Sequence, residues 1–417
     1  MMNYFDQNDE RIKNDILVLS KMINENAEGY TRRPFTKWYA QSRKWLAEEM
    51  KKCGLDVQID AASNLIGKLE GENKELLPIM IGSHTDTVTG GGRFDGIIGV
   101  VAGIEIARQL KEKNIKLEHS LLIVDFTAEE PSEFGISTIG SRGMVDNLTE
   151  EMLNRKDPEG LVLREGIKLA GGRPEDISRE ALKAGDVSLY LELHIEQGPV
   201  LEQTNNELGV VTGIVGIQRY QITVNGQPNH AGTTPMNMRF DALTGASKLV
   251  LAIEEIANKP YEEQVVGTVG RLFVEPNGSN VVPGRVVFDV ELRSLNTNIV
   301  DHMVEQIKTE IKSIENSRQL SVSIDKLSQS DPIVVKEEVI KGIEAGCKGV
   351  GRTIYLPSGA GHDANQIAKI APIGMIFVPS KDGKSHCPEE WTEYDQVAKG
   401  VKALGNALLY FDKRDNS

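Results

Sequence analysis

The chain of 417 residues is 40% hydrophobic and 26% charged, as globular proteins are, and it exceeds the ~250–300 residues at which one hydrophobic core stops growing, so two domains are expected. Its 47 basic and 61 acidic residues give a net charge of −14, and because no basic stripe is present, nucleic acid is not an expected partner. Three unevenly spaced cysteines argue against a disulfide framework, and without a signal peptide or an apolar run of ~18 residues we expect a cytoplasmic protein that does not bind membranes.

Strand and helix patterns alternate in the first half of the chain. Residues 12–53 have a mostly helical pattern, and the apolar run 77–84 predicts a buried strand. After Gly96, apolar residues recur at i, i+3, i+4 and i+7, which predicts a helix, and further strands are predicted at 121–127 and 187–195. This alternation predicts an α/β sheet, whose sites lie just past the carboxyl ends of the strands.

The pattern changes after residue 213. Strands and helices are predicted there at residues 219–227, 241–257, 285–294 and 298–314. Their order is that of a small β-α-β sandwich inserted as a unit. We therefore predict one domain made of residues 1–212 and 328–417, interrupted by a second domain of residues 213–327.

The segment GSHTDTVTGGGRFDG contains His84, Asp86 and Asp95 on a glycine-rich loop after a strand. Imidazole and carboxylate ligands together suit zinc, manganese or a similar divalent ion, and a further carboxylate commonly holds a ligating histidine in the required orientation. Asp86 fits that orienting role. The alternative is a surface turn with incidental polar residues.

Two neighbouring carboxylates, Glu129 and Glu130, follow the strand predicted at 121–127. Near a metal, one can be a ligand while the other takes a proton from water. The alternative for this pair is a solvated acidic turn.

Two more histidines are predicted at strand ends, among only seven in the chain. His194 shares one face of its strand with Glu192, and His386 lies in the loop SKDGKSHCPEEW. Each alone could be a hydrogen-bonded core or surface residue, so the metal hypothesis depends on the whole set.

Together these segments resemble the M20-type metallohydrolases, and within them the hydantoinase/carbamoylase branch of N-carbamoyl-L-amino acid hydrolases and allantoate amidohydrolases. The resemblance covers nearly the whole chain, through GSHTDTVTGGGRFDG, AEEPSEFG with IGSRGM, ELHIEQGPVLE, NHAGTTPM, NVVPGR, SGAGHDA and MIFVPSKDGKSHCPEEW. It implies an α/β fold: a mixed-sheet, metallopeptidase-like catalytic domain with an inserted ferredoxin-like α+β sandwich that forms a homodimer.

The resemblance also implies a dinuclear metal site. His84, Asp95 and His194 would hold one divalent ion. Asp95, Glu130 and His386 would hold the other, so that Asp95 bridges the two. The ions would be Zn²⁺ or Mn²⁺, with Co²⁺ and Ni²⁺ as further options.

The catalytic groups implied by the resemblance come from both domains. Glu129 would be the general base that activates water, and Asp86 would orient His84. In the family's dimer the insert of one subunit covers the site of the other, so His230 would stabilise the oxyanion. Asn280 and Arg293 would bind substrate; the alternative for Arg293 is a partner for acids on its own strand.

The substrate implied is a small ureido acid. N-carbamoyl-L-amino acids are the first choice, giving amino acid, CO₂ and NH₃, with Gln197 and Gly361 as weaker pocket candidates. Allantoate is the alternative, favoured by Arg219, while Glu133 stands where the family usually has arginine and weakens either assignment. Two further alternatives are an aminopeptidase or dipeptidase and a catalytically silent binding relative.

Overall fold

A computed structural model describes residues 4–413, which form two compact units. The first contains the described residues up to Thr212 and those from Val335 onward, and the second is Gly213–Val334. Within the described part of the chain, no helix has the length and apolar character needed to cross a membrane.

Strands and helices follow one another along both units. The strands are β1 (Asp56–Ile59), β2 (Leu65–Leu69), β3 (Ile79–His84), β4 (Leu121–Phe126), β5 (Leu189–Ile195), β6 (Leu208–Ile214), β7 (Gly216–Asn225), β8 (Asn229–His230), β9 (Val265–Glu275), β10 (Val281–Val282), β11 (Arg285–Ser294), β12 (Ser321–Ser330), β13 (Ile333–Val334), β14 (Thr353–Ser358) and β15 (Ile373–Val378). The helices are α1 (Asp9–Leu19), α2 (Lys37–Lys52), α3 (Ile97–Glu112), α4 (Ile139–Met144), α5 (Glu150–Leu153), α6 (Leu163–Leu169), α7 (Ile177–Glu180), α8 (Val200–Gln203), α9 (Ala242–Ala257), α10 (Thr297–Arg318), α11 (Glu337–Cys347), α12 (Ala364–Ile367) and α13 (Tyr394–Asp412).

The first unit is built on a mixed sheet with the order β1-β2-β4-β3-β5-β15-β6, and β14 also pairs with β6. Strands β4, β3, β5 and β15 are mutually parallel, whereas β2 runs antiparallel to β4 and β6 antiparallel to β15. The central strands are buried along almost their whole length, since α3, α11 and α13 pack on the sheet. The mixed α/β class predicted from the sequence is confirmed.

The register of the parallel strands brings their carboxyl ends together. His84 at the end of β3 pairs with Phe126 at the end of β4, and His194 of β5 pairs with Phe377 of β15. The residues that follow these four strands therefore lie at the same end of the sheet.

The second unit contains a four-stranded antiparallel sheet with the order β12-β7-β11-β9. Its elements follow the succession β-α-β-β-α-β, and α9 and α10 pack on the sheet. Strands β7 and β11 bury alternate residues, with Ile222 and Phe288 in the core and polar residues on the opposite face. Two short strands lie between these elements in the chain, β8 between β7 and α9 and β10 between β9 and β11, and they pair as a small two-stranded sheet.

Candidate metal centre

The ends of the parallel strands hold the predicted metal ligands of the first unit. His84 ends β3, His194 lies one residue before the end of β5, and Glu130 follows β4. Asp95 stands in the glycine-rich loop before α3, and His386 lies between β15 and α13. Residues far apart in the sequence meet here because the parallel strands end at one edge of the sheet.

These side chains form two groups that share Asp95. Candidate ligand atoms of His84, Asp95 and His194 lie within 4.8 Å of one another, as do those of Asp95, Glu130 and His386. Oδ1 of Asp95 is 3.1 Å from Nε2 of His194, and Oδ2 is 3.2 Å from Nε2 of His386. The two carboxylate oxygens therefore face different groups, as those of a bridging ligand do.

Main-chain contacts fix the orientation of two buried imidazoles. Nδ1 of His84 lies 3.0 Å from the carbonyl oxygen of Asp86, and Nδ1 of His194 lies 2.9 Å from that of Ile195. A carbonyl oxygen only accepts, so in the neutral rings Nδ1 carries the hydrogen and Nε2 presents a lone pair. Nε2 of His194 is buried without a hydrogen-bond partner among the described residues. Lone pairs that face carboxylate oxygens repel them unless a cation intervenes, so this donor set fits a divalent metal ion.

The charge balance of the centre favours cations. Burial raises the pKa of Asp95, but the neighbouring imidazoles of His194 and His386, when protonated, outweigh that effect and hold it well below its usual value. Burial lowers the pKa of His84, yet Glu129 and the other nearby carboxylates raise it well above its usual value. A positive charge, on the imidazole or on a metal ion, is therefore stabilised at this edge of the sheet.

Glu129 is a buried acid that lies beside His84. Its Oε2 is 3.6 Å from Nε2 of His84. Burial raises the pKa of Glu129 well above its usual value, and the nearby Asp363 and Glu130 add to the rise against the opposing effect of His84. A carboxylate with an elevated proton affinity can take a proton from water and return it later.

Asp86 contacts His84 through its main chain and the segment of Glu129 and Glu130 through its side chain. Its carbonyl oxygen contacts Nδ1 of His84, whereas Oδ1 of its carboxylate is 3.7 Å from that nitrogen. The carboxylate instead accepts the main-chain N–H groups of Glu129 at 3.1 Å and Glu130 at 3.2 Å. Asp86 thus fixes the imidazole through its main chain and the glutamate pair through its side chain.

Gln197, predicted as a pocket residue, contacts the shared carboxylate directly. Its Nε2 donates to Oδ2 of Asp95 at 2.8 Å, and the hydroxyl of Ser385 lies 3.1 Å from the same oxygen. The hydrogen bond from Gln197 helps to orient the carboxylate.

The loop with Asp95 approaches the centre closely because Gly96 lacks a side chain. Gly96 precedes α3 with φ of 68°, in the region that favours glycine, and a Cβ there would overlap the imidazole of His84.

Glu133, which stands where the family usually has arginine, pairs with an arginine from another segment. Nε of Arg33 lies 2.7 Å from Oε1 of Glu133, and the same guanidinium donates to the carbonyl oxygens of Thr87 at 2.6 Å and Pro131 at 2.5 Å. A positive charge therefore stands beside the loop that follows Glu130.

Two buried polar residues near the candidate ligands, His362 and Asp363, were not predicted from the sequence. The ring of His362 lies 4.5 Å from that of His194, edge to face, and the carboxylate of Asp363 accepts a hydrogen bond from Ser141 at 2.5 Å. Both belong to SGAGHDA, which follows β14, yet only the exposed Gly361 was selected from that motif. Their position after a strand was the signal that could have found them.

In the second unit, His230 and Asn280 come together on the small sheet. The main-chain N–H of Ala231 donates to the carbonyl oxygen of Asn280 at 2.9 Å, where β8 pairs with β10. Nδ1 of the exposed His230 accepts N–H groups from Gly232 at 3.1 Å and Thr233 at 3.2 Å. The neutral ring therefore carries its hydrogen on Nε2, as a donor.

Arg219 and Arg293 share one acid on the polar face of the larger sheet. Nε of Arg219 lies 2.5 Å from Oε2 of Glu291, across strands β7 and β11, and Nε of Arg293 lies 2.7 Å from Oε1. The ion pair considered as an alternative for Arg293 is present. The three side chains form a cluster with one net positive charge.

Comparisons with known proteins agree with this architecture. A model of peptidase family M20/M25/M40 matches residues 80–410. An N-carbamoyl-L-amino acid amidohydrolase of Geobacillus stearothermophilus is 40% identical over 396 residues, 95% of this chain and 96% of that protein. An allantoate amidohydrolase of Bacillus subtilis (strain 168) is 33% identical over 384 residues, 92% of each chain. The crystal structure of a hydantoinase/carbamoylase family amidase from Burkholderia multivorans matches with a TM-score of 0.89 and 32% identity, covering 96% of this chain and 97% of that one.

We expect Gly96→Ala to weaken stabilisation by metal, because the added Cβ would displace His84 from the group of His84, Asp95 and His194. Metal-free wild-type protein should gain about 2.7 kcal/mol for each occupied site when Mn²⁺ is added at about 100 times its dissociation constant, measured by thermal unfolding. Gly54→Ala is the matched control, since Gly54 also has a positive φ but no atom within 4 Å of a built Cβ. An undiminished response of Gly96→Ala to Mn²⁺ would contradict this account.

Proposed function

The chain belongs to peptidase family M20/M25/M40 and is a hydrolase, and we propose that it cleaves the ureido C–N bond of N-carbamoyl-L-amino acids to amino acid, CO₂ and NH₃. Its membership confirms the resemblance read from the sequence motifs. The observation that carries the proposal is the placement of Glu129 beside two ligand groups that share Asp95. The relative from Geobacillus stearothermophilus supports the choice of substrate.

We assign a divalent ion to each ligand group, Zn²⁺ or Mn²⁺, since sites of mixed imidazole and carboxylate ligands accept either. His84, Asp95 and His194 would hold one, and Asp95, Glu130 and His386 the other. Such ions supply Lewis acidity, which activates water and polarises the scissile carbonyl.

Glu129 is the proton carrier in this proposal. It accepts the proton of the water that adds to the ureido carbonyl carbon, and it returns this proton to the nitrogen that departs when the C–N bond breaks. The carbamic acid released decomposes to CO₂ and NH₃. The elevated pKa of Glu129 suits both steps, because the group must hold the proton between them.

His230 is the proposed donor to the oxyanion that develops on the carbonyl oxygen. The N–H groups of Gly232 and Thr233 occupy Nδ1, so Nε2–H is available as a donor. Arg239 braces the same loop through the carbonyl oxygens of Ala231 at 2.5 Å and Thr234 at 3.0 Å.

Arg293 is the proposed ligand of the substrate carboxylate, with Asn280 as a further polar contact. A planar guanidinium can bind a carboxylate through two parallel hydrogen bonds. Glu291 pairs with Arg219 and with Arg293, so a substrate carboxylate would compete with Glu291 for the guanidinium of Arg293.

Allantoate is the second candidate substrate, since Arg219 could bind a further polar arm if it left Glu291. The Bacillus subtilis relative is an allantoate amidohydrolase. The proposed catalytic groups would be the same for both substrates.

We further propose that the second unit is a ferredoxin-like dimerisation unit, whose His230 serves the site of the neighbouring subunit. The succession β-α-β-β-α-β supports the first part. Val266 and Phe273 on the edge strand β9 are exposed in the single chain, as expected of a strand that meets a partner.

The substrate prediction is tested by ammonia release from a panel of N-carbamoyl-L-amino acids and allantoate, with Mn²⁺ or Zn²⁺ supplied. We expect turnover of the carbamoyl amino acids, and a fall in kcat of at least about 10³-fold in Glu129→Gln because proton transfer is lost. Glu133→Gln, in the same loop but half exposed, should retain most activity. Turnover of allantoate alone would select the alternative, and inactivity with the whole panel would refute the substrate class.

We expect Arg293→Lys to raise KM about 10–100-fold with a smaller change in kcat, because lysine cannot form the two-point contact with a carboxylate. The control is Arg271→Lys, since Arg271 pairs with Asp289 on the same sheet at 2.6 Å. Steady-state kinetics on one carbamoyl amino acid measure both. Equal KM values for the two variants would rule out Arg293 as the carboxylate ligand.

The dimer predicts complementation between two inactive variants. If His230 serves the neighbouring site, a heterodimer of Glu129→Gln and His230→Ala contains one site with both lesions and one intact site. Random re-association after mild unfolding should therefore restore about a quarter of wild-type activity. A mixture as inactive as its parents would show that both residues act within one chain.

A further inference from the structure

Glu390 is a buried acid that neither the ligand groups nor the proposed proton transfer uses. Its side chain is only 2% exposed. Oε1 accepts the main-chain N–H groups of Phe94 at 2.9 Å and Asp95 at 3.1 Å. Oε2 accepts the hydroxyl of Ser385, the residue before His386, at 2.9 Å. One carboxylate therefore joins the loop of Asp95 to the loop of His386.

The two loops are shaped around this acid. A Cβ on Gly92 would overlap the carboxyl group of Glu390, so glycine there lets the acid reach the main chain. The ring of Phe94 packs edge to face on Trp391 at 5.4 Å, and the guanidinium of Arg93 lies 5.1 Å from the same indole. These contacts shield the hydrogen bonds of Glu390 from water.

Glu390 is a buried carboxylate, and burying a charged group costs free energy unless hydrogen bonds or ions compensate it. Three hydrogen bonds offset part of that cost. A buried acid in this position therefore contributes through the groups it holds in place.

We propose that Glu390 is a positioning residue that fixes the separation of Asp95 and His386, and so determines whether the group of Asp95, Glu130 and His386 can hold its ion. The proposal rests on the metal sites assigned under the proposed function. Groups that orient metal ligands commonly change metal affinity by about 10–100-fold when they are replaced.

Two variants distinguish the effect of the length of the Glu390 side chain from the effect of its charge. Glu390→Gln keeps the length and an oxygen that accepts both main-chain N–H groups, whereas Glu390→Asp keeps the charge but is shorter by one methylene. Asp412→Asn is the control, because Asp412 is also 2% exposed and accepts a main-chain N–H, from His119 at 3.0 Å. His119 precedes β4, so this control lies at the opposite end of that strand from Glu129 and Glu130.

Metal-free proteins are titrated with Mn²⁺ by calorimetry, and Mn²⁺ electron paramagnetic resonance reports whether the two ions are coupled. We expect the wild type to bind two Mn²⁺ per chain. Glu390→Gln and Asp412→Asn should bind them with the affinities of the wild type. In Glu390→Asp the weaker site should lose about 10–100-fold in affinity and the coupled signal should disappear. kcat should fall with it, while KM stays near the wild-type value.

Normal binding by Glu390→Asp together with weakened binding by Glu390→Gln would overturn the proposal, because charge and not reach would then matter. The proposal would also be overturned if both variants bound Mn²⁺ normally, or if both bound it more weakly than the wild type. In these cases wild-type protein that still binds two Mn²⁺ leaves the proposed function intact. Wild-type protein that binds no Mn²⁺ would refute the metal sites and this inference together.

Discussion

One buried carboxylate, Asp95, has to face two imidazoles that come from different parts of the chain. Oδ1 lies toward His194 on β5, and Oδ2 lies toward His386 before α13. A carboxylate has only two oxygens in one plane, so its position and rotation must both be fixed. Much of the surrounding structure serves this requirement, from the glycines of its loop to the amide of Gln197 that donates to Oδ2.

The accumulation of acids at this edge of the sheet is costly without cations. Glu129 and Asp363 are both buried, and burial raises the pKa of each well above its usual value. The hydroxyl of Ser141 donates to Asp363 and the imidazole of His84 lies beside Glu129, and bound cations would stabilise the ionised forms. The stability of this region and its metal affinity are therefore linked.

The second unit presents different chemistry. It contributes donors, the Nε2–H of the exposed His230 and the guanidinium of the partly buried Arg293, whereas the centre of the first unit is rich in acceptors. A ureido acid needs both, since its carbonyl must be attacked and its carboxylate and developing oxyanion must be neutralised. These donors are groups that the proposed reaction requires in addition to a metal centre.

The pattern of residues alone predicts the α/β class, the strands that end near the candidate ligands, and the candidacy of His84, Asp95 and His194, because buried parallel strands are continuous apolar runs and few polar residues follow them. It did not indicate the roles of Glu390, His362 and the main chain of Asp86. These residues act through contacts between segments as far apart as Asp95 and Glu390, and spacing along the chain does not record such contacts. Only the tertiary structure decides which acid accepts which N–H group, because the strand register and the glycine loops set those distances.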